Sequence, residues 1–243
     1  ALALSLNTFG QVPNYVPTNG LVGWWGFNGN ANDESGNGND GIVTGATLTV
    51  DQFANPNSAY NFDGTDEIIM QDSDMLDGNN EYSVSIWFNS FDLGGGAATN
   101  FKPLFSKWYT IPEPDSTSYL TYMDGTNLVS YFHNGTSYDS IARPINYTVN
   151  QWVHYTSVFN NGLVKIYLNA VLIGEKQLSI LSINNSLEDL KIGQWFGNIN
   201  PSYTDFVGDI DDLGMWNRAL TECEVQELFN SQLNIDNAVT QTG

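Results

Sequence analysis

The sequence has one cysteine, Cys223, among its 243 residues. An internal disulfide is therefore excluded, and the fold must depend on a packed core, with or without a metal ion. No uninterrupted run of 18 apolar residues occurs, so no membrane-spanning helix is predicted. With two histidines and no Cys/His cluster, the chain also disfavours a zinc site.

Positive charge is scarce. Seven Lys and Arg residues face 27 Asp and Glu residues, and the net charge is -20. Because nucleic acids and anionic lipids are bound through Lys and Arg, this composition argues against both as partners. It suits divalent cations and neutral ligands such as sugars. The alternative is that the acidity only keeps a secreted or salt-adapted protein in solution.

Strand-like segments dominate the rest of the chain, and hydrophobic residues make up 41% of it. Short runs of alternating or β-branched residues, such as "YSVSIWFNSF" (Tyr82–Phe91), are separated by Gly, Asn and Asp turns, including Asn160–Gly162. This spacing predicts an all-β fold, a two-sheet antiparallel jelly-roll sandwich.

One short C-terminal helix is predicted. Thr221 can cap its start with Glu224 as capping-box partner, and Val225, Leu228 and Phe229 form an apolar stripe.

We predict a single domain over residues 20–232, followed by a polar tail or linker over residues 233–243. Residues 1–19 are assigned to a signal-peptide remnant or N-terminal extension, because "ALALSLNTFGQ" is similar to the end of a secretory signal. An ordinary first strand is the alternative there.

The loop "FNGNANDESGNGNDG" (Phe27–Gly41) is rich in Asn, Gly and acidic residues. Such a loop bends sharply and can present oxygen atoms to Ca²⁺, which takes six to eight of them. An EF-hand is excluded, because the twelfth position counted from Asp33 is Thr44 and strands flank the loop. The alternative is that Asp33, Asn37 and Asn39 only form Asx-turns.

Several segments, taken in order, resemble laminin-G-like, concanavalin A-like jelly-roll domains of secreted bacterial proteins. They are "GLVGWWGFNGNANDESGNGNDG", "AYNFDGTDEIIM", "EYSVSIWFN", "NQWVHYTSVFNNGLVKIYLNAVLIGE" and "FVGDIDDLGMWNRALTECEVQEL". The resemblance implies that the first and last strands are neighbours. It also implies a structural Ca²⁺ between the opening loop and the last strand, with Asp33 and Asp211 at the matching positions. The candidate metal ligands are Asp33, Asn37, Asn39, Asp209 and Asp211.

No catalytic residue is predicted. Retaining glycoside hydrolases of similar fold need two carboxylates about 5 Å apart, and E-x-D-x-x-E or E-x-D-x-E runs are absent. The nearest run, "DEIIMQDSD", has Gln71 where the second carboxylate should be. No G-x-S-x-G elbow or P-loop occurs, and His133 and His154 are interpreted as structural.

Binding is the favoured class of function. Sugars stack on aromatic faces and bond to Asn, Asp and Gln, all of which are plentiful here. The candidate ligand-binding residues are Trp108, Tyr109, Tyr122, Tyr131 and Trp195, although these rings could instead pack between the sheets. We therefore expect a non-catalytic, calcium-binding module of a secreted or cell-surface protein that binds a glycan in adhesion. The alternatives are an assembly module that contacts protein subunits through sheet edges or the N-terminal segment and, less favoured, a hydrolase.

Overall fold

A computed structural model describes residues 11–95, 100–108, 117–195 and 205–239, with side chains up to residue 231. Fifteen strands and one helix lie in these segments. In chain order they are β1 (Leu21–Trp25), β2 (Gly41–Thr44), β3 (Thr47–Thr49), β4 (Ala59–Asp63), β5 (Glu67–Met70), β6 (Glu81–Ser90), β7 (Lys102–Trp108), β8 (Thr117–Met123), β9 (Asn127–His133), β10 (Tyr138–Pro144), β11 (Trp152–Asn160), β12 (Leu163–Leu168), β13 (Val171–Gln177), β14 (Leu190–Ile192), β15 (Val207–Trp216) and α1 (Glu222–Val239).

The strands form two antiparallel sheets. The eight-stranded sheet has the order β13-β12-β11-β6-β15-β4-β3, with β1 also paired to β15. The seven-stranded sheet has the order β10-β9-β8-β7-β14-β5-β2. In the β1–β15 pair Trp24 lies opposite Gly214 and Trp25 opposite Leu213, so the first and last strands are neighbours. The predicted all-β two-sheet jelly-roll sandwich is confirmed.

The core lies between the sheets and is built by strand alternation. On β6, Val84, Ile86 and Phe88 point inward and have no exposed surface. Burying each of these side chains stabilises the fold by roughly 1.5–3 kcal/mol. The outward residues of β6, among them Ser85 and Trp87, are buried as well, because α1 and the N-terminal segment cover that face.

Helix α1 begins at the predicted capping box. Thr221 N donates to Glu224 Oε2 at 2.8 Å, and Glu224 N donates to Thr221 Oγ1 at 3.3 Å. Val225 and Leu228 are buried against the outer face of the eight-stranded sheet. The helix runs to Val239, seven residues into the segment assigned to a polar tail. No Pro or Gly interrupts residues 233–239, so nothing in the backbone ends the helix earlier.

The N-terminal segment packs on the same outer face. Tyr15 and Val16 join Trp24 and Trp216 in an apolar cluster, and Trp216 Nε1 donates to the Pro17 carbonyl at 2.6 Å. Residues 1–10, on which the signal-peptide prediction rests, lie outside the described residues. In the described part of the chain no helix combines the length and apolar character needed to cross a membrane.

Candidate functional site

The opening loop lies along the edge of β1 that is not paired with β15, and Asp33 fixes it there. Asp33 Oδ1 accepts hydrogen bonds from Trp24 N at 3.1 Å and Ser35 N at 2.9 Å. Its Oδ2 accepts from Asn39 N at 3.0 Å. Both carboxylate oxygens of Asp33 therefore bind backbone N–H groups of β1 and of the loop.

Two loop amides complete this edge. Asn37 Nδ2 donates to the Leu21 carbonyl at 3.1 Å and to the Val22 carbonyl at 3.2 Å, and Asn39 Nδ2 donates to the Val22 carbonyl at 2.8 Å. An unpaired strand edge exposes N–H and C=O groups that must find other partners. Side chains of the loop are those partners, so Asp33, Asn37 and Asn39 do in this structure what a neighbouring strand would do.

The other two predicted metal ligands lie on β15. Asp209 accepts hydrogen bonds from Asn61 at 2.8 Å and from Asn89 at 3.2 Å. Asp211 is 3% exposed, and its Oδ1 accepts from Asp212 N. Burial, together with the charges of Asp212 and Asp51, raises the pKa of Asp211 well above its usual value. Among the described residues no three His, Cys, Asp or Glu side chains form a metal-binding group.

An aromatic cluster occupies the outer face of the seven-stranded sheet. Tyr122 on β8 stacks on Trp195 at 5.8 Å between centroids and on Tyr131 of β9 at 6.0 Å, each pair at 14° between planes. Trp108, at the end of β7, meets Tyr131 edge-on at 6.1 Å. The structure thus brings together four of the five predicted ligand-binding residues. Tyr109, the fifth, lies outside the described residues.

Two members of this cluster were not predicted. Phe101 packs on Tyr122 at 4.7 Å and on Trp195 at 5.7 Å. Tyr138 lies 5.7 Å from Tyr131 and is 63% exposed. Tyr138 could have been found from the hairpin in "YFHNGTSYD", where pairing across the Asn-Gly turn places it opposite His133. Phe101 precedes β7 and carries no comparable signal.

The rings differ in what they offer a ligand. Tyr122 is 7% exposed, so its ring faces are covered by its stacking partners. Trp108 and Tyr131 are partly buried, and Tyr138 is the most exposed ring of the cluster. A saccharide ring needs a free aromatic face on which to stack. Tyr138 and Trp108, at the rim of the cluster, are therefore the best placed for stacking.

Asp205 supports Trp195 from below the cluster. Its carboxylate accepts hydrogen bonds from Gln194 Nε2 at 3.3 Å and from the backbone N–H of Trp195. Ser106 Oγ donates to the Gln194 carbonyl at 2.9 Å, which ties the same segment to β7. Burial raises the pKa of Asp205 to about 6 in spite of the hydrogen bonds that it accepts.

The lysines beside the cluster are neutralised. Lys102 forms an ion pair with Asp92 at 3.0 Å and donates to the Asp205 carbonyl. Lys191, on the outer face of the same sheet, pairs with Glu67 at 3.3 Å. The face therefore offers aromatic and amide groups but no unpaired cation among its described residues.

Both histidines have structural surroundings. His154 is 1% exposed, its Nε2 lies 2.7 Å from Ser85 Oγ, and it packs against Trp87 and Phe229 of α1. Burial lowers the pKa of His154 to about 3, so the ring is neutral at physiological pH. His133 Nδ1 accepts from Gly135 N at 3.0 Å in the β9–β10 turn. Their positions agree with the structural interpretation.

Several solved structures share the fold. Domain 4 of AbnA, a GH43 extracellular arabinanase from Geobacillus stearothermophilus, solved in complex with arabinotriose, is 21% identical with a TM-score of 0.64, over 86% of this chain and 97% of that one. The binding domain of Paraclostridial Mosquitocidal Protein 1 is 20% identical with a TM-score of 0.68, over 89% and 53%.

A botulinum neurotoxin serotype D ligand binding domain, solved in complex with N-acetylneuraminic acid, is 17% identical with a TM-score of 0.67, over 88% of this chain and 52% of that one. The chain thus spans about half of these toxin domains. At these identities the likeness shows the fold alone. The two toxin structures are binding domains.

No curated protein sequence matches the chain significantly. A family model does match, over residues 62–226, and its description is the concanavalin A-like lectin/glucanases superfamily. This match covers β5 to β15, the aromatic cluster and the start of α1. The chain therefore belongs to the concanavalin A-like lectin/glucanase superfamily.

Proposed function

We propose that the protein is a non-catalytic glycan-binding module and that the aromatic cluster on the seven-stranded sheet is its ligand site. The observation that carries this proposal is the meeting of Trp108, Tyr122, Tyr131 and Trp195 on one outer face. The first three lie on consecutive strands, whereas Trp195 comes from a distant part of the sequence. Tyr138 adds an exposed ring at the rim. Aromatic rings with few charges around them are typical of saccharide sites.

The neighbours support binding rather than catalysis. The AbnA domain was solved with arabinotriose and the serotype D domain with N-acetylneuraminic acid. Glu67 and Asp205 also have other partners, since Glu67 pairs with Lys191 and Asp205 holds Gln194 and Trp195. Because these relatives belong to an extracellular enzyme and to toxins, we place the module outside the cell, where adhesion to surface glycans is its role.

The charges favour a neutral glycan over an acidic one. A sialylated ligand needs a cation, and Lys102 and Lys191 are already paired with Asp92 and Glu67. The net charge of -20 repels anionic ligands further. Neutral oligosaccharides such as arabinotriose are therefore the class that fits this face.

A glycan array that contains neutral and sialylated oligosaccharides tests the proposal. We expect neutral glycans to bind, and Tyr138→Ala and Trp108→Ala each to weaken binding about tenfold, which corresponds to about 1.4 kcal/mol. Phe91→Ala is the matched control, because Phe91 is 40% exposed and lies outside the cluster. Absence of any bound glycan, or equal loss in all three variants, would contradict the proposal.

We also propose a structural Ca²⁺ bound by Asp211 on β15, with carbonyl and amide oxygens as its other ligands, because no three acidic side chains converge there among the described residues. Asp211 is 3% exposed, and burial together with the charges of Asp212 and Asp51 raises its pKa. No Lys or Arg in the described part of the chain forms an ion pair with it. A bound cation would supply the missing positive charge. Asp33, Asn37 and Asn39 would then support the ion indirectly, by holding the loop on β1.

Assembly through a sheet edge is the second candidate function. The edge strand β13 exposes Val171 and Leu172 by 64% and 42%. An exposed apolar edge strand can pair with a partner strand. Light scattering after size-exclusion chromatography tests this candidate. An oligomer that Val171→Lys dissociates would favour it, whereas a monomer at all concentrations would count against self-assembly.

A further inference from the structure

A small cavity lies on the outer face of the eight-stranded sheet, on the opposite side of the sandwich from the aromatic cluster. Its volume is about 170 Å³. It lies where β11 and β12 meet the segment that leads into α1. The lining residues of these two strands are Val158, Asn160, Leu163, Lys165 and Tyr167. The segment before α1 and the first residue of the helix line the rest of the cavity with Ala219, Leu220, Thr221 and Glu222.

Lys165 differs from the six other cations of the chain. Each of those contacts a carboxylate or a backbone carbonyl: Lys102, Lys107, Arg143, Lys176, Lys191 and Arg218. The Lys165 side chain makes neither a hydrogen bond nor an ion pair with any described residue. Glu175 lies opposite it on β13, but no ion pair joins the two side chains. In a chain of net charge -20, this is an ammonium group left available to a ligand.

Tyr167 provides a second unused polar group. Its ring packs in the apolar cluster beneath α1. Its hydroxyl makes no hydrogen bond to a described residue and is not among the fully buried polar atoms, so it remains accessible at the cavity. Burial and the charges of Glu222 and Glu175 raise the pKa of Tyr167, so the hydroxyl is protonated and can donate.

We propose that this cavity binds a small zwitterion, an α-amino acid with an aliphatic side chain. Lys165 and Tyr167 bind the carboxylate, Glu222 binds the ammonium group, and Val158 and Leu163 contact the side chain. At about 170 Å³ the cavity has room for a small molecule such as an amino acid. A sugar fits less well, because the Tyr167 ring is buried and leaves no aromatic face for stacking.

NMR titration of the ¹⁵N-labelled protein tests the proposal, with L-leucine, N-acetyl-L-leucine and L-leucinamide as probes. Leucine should shift amide signals within residues 158–167 and 219–222. The acetylated probe lacks the ammonium group and the amide lacks the carboxylate, so each should bind at least tenfold more weakly. Absence of shifts with leucine, equal binding of all three probes, or the same shifts with free arabinose would overturn the proposal.

Variants separate the roles of the lining residues. Lys165→Met and Tyr167→Phe should each weaken leucine binding about tenfold, and Glu222→Gln should weaken leucine but not N-acetyl-L-leucine. The Lys165 side chain makes no hydrogen bond to a described residue, so Lys165→Met should keep the melting temperature of the parent protein. Lys191→Met, on the other sheet, is the matched control and should bind leucine normally. Unchanged leucine binding in Lys165→Met would contradict the assigned role of the ammonium group.

Discussion

Asp205 is the residue on which the position of Trp195 depends. Its carboxylate accepts from Gln194 and from the Trp195 backbone, and its own carbonyl accepts from Lys102. Such donors stabilise the ionised carboxylate and lower its pKa, but the loss of hydration on burial has the larger effect. The pKa of Asp205 is therefore raised to about 6. The folded protein therefore binds a proton at Asp205 more tightly than the unfolded chain does.

The sign of the pH effect follows from linkage. At pH values between about 3.9, the ordinary Asp pKa, and about 6, Asp205 is protonated in the folded protein but ionised in the unfolded chain. The stability of the fold therefore falls as the pH rises through this range. Asp205→Asn should therefore raise the free energy of unfolding at pH 8 by on the order of 2 kcal/mol relative to the parent protein, and with it the melting temperature. At pH 4 this gain should vanish. Thermal unfolding followed by circular dichroism from pH 4 to 8 measures the difference, and a difference independent of pH would contradict the prediction.

At the scale of elements, the start of α1 is held by a network around Glu224. Arg218 Nη1 donates to Glu224 Oε2 at 2.9 Å, and Arg218 Nε donates to the Asn19 carbonyl at 2.7 Å. Together with the Thr221 capping box, these bonds join the helix to β15 and to the N-terminal segment. The side-chain bonds from Arg218 lower the pKa of Glu224 to about 2.

Removing this charge should weaken the helix start. Because the pKa of Glu224 is lower in the folded protein, its carboxylate stabilises the fold at pH values above about 4.3, the pKa in the unfolded chain. This stabilisation is lost as the pH falls toward 2. Glu224→Gln should lower the free energy of unfolding at pH 7 by about 1 kcal/mol, since the pair is partly exposed. Urea titration measures the change. Glu227→Gln, at an exposed position of the same helix, is the control and should change little.

The edge of β1 shows how a loop can replace a strand. Asp33, Asn37 and Asn39 bind backbone groups of Leu21, Val22 and Trp24. These hydrogen bonds hold the loop whether or not a metal binds nearby. The same residues therefore have a structural role that is separable from calcium.

At the scale of the whole molecule, the pairing of β1 with β15 brings together the two ends of the domain. A cation at Asp211 would stabilise the closing strand and so the entire sandwich. Because ligand binding to the folded state raises its stability by mass action, calcium should raise the melting temperature and a chelator should lower it.

Two variants distinguish metal binding from hydrogen bonding. Asp211→Asn should abolish the difference between melting temperatures measured in calcium and in EDTA. Asp33→Asn should lower both temperatures by a similar amount, since Asp33 accepts three backbone hydrogen bonds, each worth about 1–2 kcal/mol. Differential scanning calorimetry measures both. Identical melting of the parent protein in calcium and EDTA would contradict the calcium proposal.

Much of the fold was predictable from local pattern. The alternation of Val84, Ile86 and Phe88 predicted which face of β6 is buried, and Thr221 with Glu224 predicted where α1 begins. Both signals depend on neighbours within a few positions along the chain. The end of α1 at Val239 was not predicted, because polar residues without Pro or Gly are compatible with either helix or tail.

The fold class, the start of α1, the absence of an internal disulfide and the acidity could all be read from the sequence, because each follows from composition or from the spacing of a few residues. Which aromatic rings meet could not, since sheet pairing and not sequence distance brings together Trp108, Tyr122, Tyr131 and Trp195. The tertiary structure likewise placed Lys165 and Tyr167 beside Glu222. Long-range strand register sets these contacts, and no local pattern records it.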